Sequence, residues 1–211
     1  MDTQLSRTIS AANMKLNSIL KYLKYMNIKT KRKVLNAHIL SLFNYGMEQY
    51  LGEAEQQKQR LHSSMMRVFR KVRVFCRFRE SNSSVVEDLG LELPIQMLLK
   101  NSAKFIHKIA YNGKPNQITR LMRLLTWRKE GNISPTYFPK KTKFQRNFIN
   151  ESIRLYNSID PEIRKLKPSR FKKELRKWIL FEQPKNHQEP IIKAEKKLNI
   201  TQQAPTRQKL D

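Results

Sequence analysis

TKRKVLNAHILSLFNYGMEQYL, residues 30–51, is the stretch on which the reading of this chain turns. Leu35, Ile39, Leu42, Phe43, Gly46 and Tyr50 follow one another at steps of four, three, one, three and four. That spacing places them on one stripe of a helix with about 3.6 residues per turn. A stripe this wide faces a core, so neighbouring helices are expected to pack around it. Thr30 is the expected N-cap, which puts Lys31, Arg32 and Lys33 in the first turn, where the helix dipole disfavours cations. Local helix energetics do not ask for three positive charges there, and an anionic partner is the simplest reason for them.

Working outward, residues 3–26 carry Leu5, Ile9, Ala12, Leu16, Ile19, Leu20 and Leu23 on one helical face. The short link Asn27-Ile28-Lys29 makes an αα-hairpin with a basic tip at residues 29–33. After Gly52 a third helix is expected over 55–73, burying Leu61, Met65, Val68, Phe69 and Val72. Its glutamates come first and its arginines last, which suits the dipole. Residues 77–84 read as a loop, followed by a single helical turn with a capping box at Ser84–Glu87 and a stop at Gly90.

Pro94 opens a helix through Ala110, with Ile95, Leu98, Leu99, Ser102, Phe105, Ile106 and Ile109 inward, and Gly113 ends it. Another helix is expected from Pro115 through Leu125, then irregular chain from Trp127 to Lys141. Helix returns over 144–158, burying Phe148, Ser152, Leu155 and Tyr156, and Asp160-Pro161-Glu162 is a strong helix start. A last helix follows Pro168 with Ser169 as cap and Phe171, Leu175, Trp178 and Ile179 as its packing face. No segment alternates over more than four residues, so the expected class is all-α. The expected organisation is a thumb-like helical bundle over 1–80, a second set of helices over 81–182, and a disordered basic tail over 183–211.

Charge dominates the composition: 43 Lys and Arg oppose 17 Asp and Glu over 211 residues, a formal net of +26. The excess is spread through the chain, eight basic against two acidic residues in 1–51 and thirteen against five in 140–182. A single basic tail would look different, so the folded body itself should be positive, and a polyanion is the natural partner, nucleic acid before membrane. One cysteine, Cys76, excludes an intramolecular disulfide and any zinc site built on several cysteines. No apolar run approaches the roughly 18 residues that span a bilayer, and the first ten residues lack a secretory signal's apolar core. The expected location is nucleus or cytoplasm, not secreted.

Catalysis by this chain is not expected. The four aspartates, Asp2, Asp88, Asp160 and Asp211, are far apart in sequence, whereas two-metal phosphoryl transfer needs clustered carboxylates. The histidines at 38, 62, 107 and 187 are isolated, and His38 and His107 sit in helical patterns that suit structural roles. Five glycines supply no phosphate-cradling loop, so no cofactor and no metal is implied. The positive signal is cations interleaved with aromatics. Arg73, Arg77 and Arg79 flank Phe75 and Phe78, which either stack on bases or anchor the loop to the core. Lys140, Lys141, Lys143 and Arg146 surround Phe144 in a segment with little to bury, which favours phosphate contact.

Three pieces in order then carry a resemblance. Ala12-Asn13-x-Lys15-Leu16-Asn17 precedes a helix ending Ser41-Leu42-Phe43-Asn44-Tyr45-Gly46; Leu89-Gly90-Leu91 follows; Tyr156-Asn157-Ser158-Ile159-Asp160-Pro161 and then Phe171-Lys172-Lys173-x-Leu175 close the chain. From about residue 5 to 182 this resembles the region after the polymerase palm in LINE-type (non-LTR) retrotransposon reverse transcriptases. That family usually shows Trp-Asn-x-Leu-Pro in the closing box; Tyr156 replaces the tryptophan, and Ile159-Asp160 displaces Leu-Pro by one position. The resemblance implies a thumb and post-thumb portion of an RNA-directed DNA polymerase, without the Ala-Asp-Asp box that carries catalysis upstream. Its partners would be RNA, DNA or an RNA–DNA hybrid, together with the remainder of a reverse transcriptase.

The leading expectation is a module that grips the template–primer backbone without reading sequence. Lys31, Arg32, Lys33, Arg67, Arg70, Lys71 and Arg73 would lie on one face of the bundle, joined by Arg77, Arg79, Lys140, Lys141, Lys143 and Arg146. Two rivals stand beside it: a basic helical adaptor or assembly protein, and a decayed transposon remnant without selected activity.

Overall fold

The structure, a computed structural model, describes residues 2–73, 80–112, 125–127, 133–135, 148–182 and 189. The fold is all-α. Helix α1 (Asp2–Leu23) runs into a turn, and Asn27 caps α2 (Ile28–Leu35) by accepting the Thr30 amide on Oδ1 at 2.9 Å. The cap is therefore Asn27 rather than Thr30. Asparagine accepts a first-turn amide as well as threonine does, and its position three residues earlier moves the helix start with it. Lys31, Arg32 and Lys33 consequently lie one turn inside the helix, where the dipole acts on them less.

The expected single helix over 30–51 is three pieces. A π-helical turn, Asn36–Leu40, interrupts it, and α3 (Ser41–Asn44) continues on a shifted register. The shift turns both Ile39 and Leu40 inward and leaves Leu42 half-buried, which a uniform 3.6-residue period does not anticipate. Gly46 then takes a left-handed conformation, φ 68°, and ends the helix instead of lying on its buried stripe. A short 3-10 helix, Met47–Gly52, follows and buries Met47, Tyr50 and Leu51.

Helix α4 (Glu55–Val72) buries all five residues expected of it, with Met66 and Lys58 beside them. Helix α5 (Asn82–Leu89) begins earlier than the Ser84 box: Ser81 is the cap and its Oγ accepts the Ser84 amide at 3.2 Å. Gly90 closes α5 at φ 61°, with Gly90 N–H bonding Glu87 O and Leu91 N–H bonding Val86 O, both at 2.8 Å. Helix α6 (Pro94–Asn112) places Leu98, Leu99, Ser102, Ala103, Ile106 and Ile109 inside.

Leu125, expected to end a helix, instead starts strand β1 (Leu125–Trp127), which pairs antiparallel with β2 (Ile133–Pro135) in the stretch expected to be irregular. Residues 115–124 of that helix lie outside the described residues. Helix α7 (Phe148–Ser158) buries Ser152, Leu155 and Tyr156, and the single turn α8 (Pro161–Arg164) is capped by Asp160, whose Oδ1 accepts the Glu162 amide at 2.9 Å. Helix α9 (Pro168–Glu182) starts one residue before its expected cap, so Ser169 lies in the first turn. The expected tail over 183–211 lies outside the described residues, except for Glu189.

Buried side chains from every helix but the single turn α8 form one hydrophobic cluster, against which Ile163 of α8 packs and to which both the 1–80 and the 81–182 stretches contribute. The 3-10 helix packs against α6 and α7, α9 packs on α6, and α1 packs on α3 and α4. Among the described residues no helix is long and apolar enough to cross a membrane.

Candidate nucleic-acid interface

Helix α4 carries two rows at steps of four, an exposed one, Ser63-Arg67-Lys71, and beside it half-buried His62, buried Met66 and exposed Arg70. With Asn82 at the start of α5 they line an open cleft of about 470 Å³. Arg70 is held in place by donating from Nη2 to Asn82 Oδ1 at 2.6 Å. Arg67 and Lys71 are one turn apart, about 6 Å along the axis, which is on the order of two nucleotide steps of one DNA strand. His62 is kept neutral at ordinary pH, because burial lowers its pKa and the charge of Arg70 lowers it further.

Two carboxylates in the stretch that includes Asn82 are already paired. Arg73, at the C-terminal end of α4, pairs with both Glu80 and Asp88. Its single positive charge offsets one of their two negative charges and leaves the trio at a net −1, and the Arg73 charge is not free to bind a phosphate. The face expected from sequence is thus split into roles. Arg67, Arg70 and Lys71 line the cleft, and Lys33 is exposed. Lys31 is buried, with 9% of its surface exposed, and has little to offer a ligand. Arg32 donates from Nη1 to the Gly90 carbonyl at 3.3 Å, fastening α2 to the C-terminal end of α5. That two-turn helix spans about 12 Å, so its ends link the Arg32 side of the hairpin to the α4 cleft. Arg77, Arg79, Lys140, Lys141, Lys143 and Arg146 lie outside the described residues.

Sequence reading missed a second basic surface. Lys100, Lys104 and Lys108 follow one another by four along α6, and α9 packs beside that helix with Lys172 and Arg176. Glu92 alone accepts from both Lys100 and Arg176, the latter from Nε at 3.2 Å. Burial, with the positive charges of Lys100 and Lys172, lowers the Lys104 pKa to about 8 despite the opposing pull of Glu92. The spacing on α6 was visible in the sequence, but its meeting with α9 was not.

The residues that carried the resemblance in the closing box meet inside the protein. Tyr156 and Phe171 are buried around His107, whose ring stacks on Phe171 with centroids 3.7 Å apart and planes 8° apart. His107 Nδ1 lies 3.1 Å from the Tyr156 hydroxyl, and Arg164 sits over the Tyr156 ring at 5.9 Å. This is a structural cluster that ties α6, α7, α8 and α9 together. Among the described residues no three His, Cys, Asp or Glu side chains gather as metal ligands would. No family model, curated protein or solved structure matches the chain.

Proposed function

We propose that this chain is a helical module that grips the sugar–phosphate backbone of nucleic acid without reading sequence and without catalysing a reaction. Its place would be the thumb and post-thumb part of a retrotransposon reverse transcriptase, working with a catalytic palm elsewhere. The observation that carries the reading is the α4 cleft, where Arg67, Arg70 and Lys71 share one face while Arg73 pairs with Glu80 and Asp88 and offsets part of their charge. Flexible cations on a rigid helix suit phosphates, which repeat regularly and carry no base identity.

The test is fluorescence anisotropy with a labelled RNA–DNA hybrid across a salt series, with single-stranded RNA and duplex DNA as competitors. The expected result is a linear log–log dependence on salt and similar affinity for sequences of equal length. Replacing Arg67, Arg70 and Lys71 together by glutamine lowers the slope by about 2–3, at roughly 0.7–0.9 per phosphate contact. Strong discrimination between sequences, or no binding at physiological salt with helical circular dichroism intact, refutes the reading. A defined protein complex indifferent to added nucleic acid would favour the adaptor.

A further inference from the structure

The tip of the α1–α2 hairpin exposes aromatic rings. Tyr22 is 54% exposed and Tyr25 is 80% exposed, with Ile28 beside them at 53%. The tip is nevertheless ordered: Leu23 is buried between the two tyrosines in sequence, and the Tyr25 and Met26 amides bond the Tyr22 and Leu23 carbonyls at 3.1 Å. The rings therefore stand on a fixed turn. Lys21 Nζ lies 4.9 Å from the Tyr22 centroid and Lys24 Nζ lies 4.8 Å from that of Tyr25, with Lys29 and Lys33 following in the next helix.

The electrostatic setting is one-sided. From Thr3 to Met47 the sequence contains no aspartate or glutamate, while it carries eight lysines and arginines. A tyrosine left in water beside several lysines gives up contact area that a flat, negatively charged partner would recover. Bases supply flat faces and their phosphates supply the charge. In a duplex the base faces are already stacked on one another, so only unpaired nucleotides offer both together.

We propose that the hairpin tip is a stacking platform for unpaired nucleotides, with Tyr22 and Tyr25 taking base faces and Lys21, Lys24 and Lys29 taking the adjoining phosphates. The proposal rests on the nucleic-acid reading above and specifies which form of nucleic acid this part of the chain holds. A single-stranded template running off the paired region has that chemistry. No base identity is read, because every base has a face to stack.

The experiment compares the full chain with Tyr22→Ala/Tyr25→Ala and Tyr22→Phe/Tyr25→Phe on two labelled probes, oligouridylate and a blunt duplex. The alanine variant is expected to lose at least roughly 25-fold affinity for oligouridylate, because two base stacks worth about 5-fold or more each are removed together. Its duplex affinity and duplex salt slope stay unchanged, and the phenylalanine variant binds like the parent. Equal loss on both probes, no loss on oligouridylate, or a phenylalanine variant as weak as the alanine one overturns the platform. Phosphatidylserine vesicles are the third probe. If the alanine variant loses vesicle binding while keeping oligouridylate binding, the tip faces lipid and the proposal is overturned. If the parent chain binds neither oligouridylate nor duplex, the nucleic-acid reading falls as well. Duplex binding by the parent separates that outcome from failure of the platform alone.

Discussion

Lowering the pH from about 7.5 to about 5 should weaken the fold through His107, and Tyr156→Phe or His107→Phe should change how it does so. His107 and Tyr156 are each 2% exposed, and the hydroxyl lies 3.1 Å from Nδ1. Burial lowers the His107 pKa, against a smaller opposing contribution from the Leu166 backbone. Burial also pushes Tyr156 up to about 12, so the phenol keeps its proton throughout this range. A histidine whose folded pKa lies below its unfolded value of about 6.5 binds more protons when unfolded. Its contribution is thus complete above about 6.5 and is lost as pH falls below that, at no more than about 1.4 kcal/mol per pH unit. His62 adds a loss of the same sign, from burial and then Arg70. At neutral pH, Tyr156→Phe leaves a buried ring nitrogen without its partner and should cost about 1–3 kcal/mol. The double replacement His107→Phe/Tyr156→Phe removes both polar groups while keeping a ring on Phe171, and should cost less than the two single changes summed. Urea denaturation followed by circular dichroism at each pH measures these quantities. Stability that rises on acidification, or a pH dependence that His107→Phe does not reduce, would refute the account.

Three further outcomes are expected. Gly90→Ala forces a residue with Cβ into φ 61° and makes the flexible Arg32 guanidinium swing away from the Gly90 carbonyl it bonds, whereas Gly46→Ala at φ 68° meets only the end of Gln49 at 3.6 Å. Both should lose about 1–2 kcal/mol from left-handed strain, with a larger loss at Gly90, read by urea midpoints. Arg73→Gln should weaken nucleic-acid binding without removing a phosphate contact, because Glu80 and Asp88 become uncompensated beside the cleft. Anisotropy should show Arg73→Gln/Glu80→Gln/Asp88→Asn regaining the affinity, and failure to regain it would make Arg73 a direct contact. Lys104, with its pKa near 8, should react with amine reagents ahead of the exposed lysines near that pH. Peptide mass mapping would show it, and Glu92→Gln should enhance the reaction by removing the charge that raises the pKa.

The long amphipathic helices were legible because their stripes obey a single period: α4 buries every residue its spacing named, and α1, α6 and α9 bury most of theirs, with Ile9, Ile19, Leu20, Ile95, Phe105 and Trp178 half-buried at the edges. What escaped was local geometry that breaks the period. The π turn at Asn36–Leu40 changes the register without any glycine or proline to announce it. Gly46 occurred at a helical step and so passed for a member of the stripe, although its left-handed φ ends the helix. Asn27 and Ser81 were read as link and loop, although each is a residue type that caps helices. For the interface, Arg67, Arg70 and Lys71 were legible from their spacing on one helix. The pairing of Arg73 with Asp88, fifteen residues away, depends on how α5 folds back onto α4 and has no sequence signature. Tyr22 and Tyr25 look like ordinary helix-end aromatics until their exposure is known.

The 3-10 helix at Met47–Gly52 has a consequence for how the protein is made. It is built early in the chain, yet the surfaces that cover Met47, Tyr50 and Leu51 come from α6 and α7, the latter beginning at Phe148. During synthesis those apolar side chains must wait for partners that begin about fifty residues downstream, in α6, and about a hundred residues downstream, in α7. Those side chains are therefore exposed to premature association until α6 and α7 emerge from the ribosome.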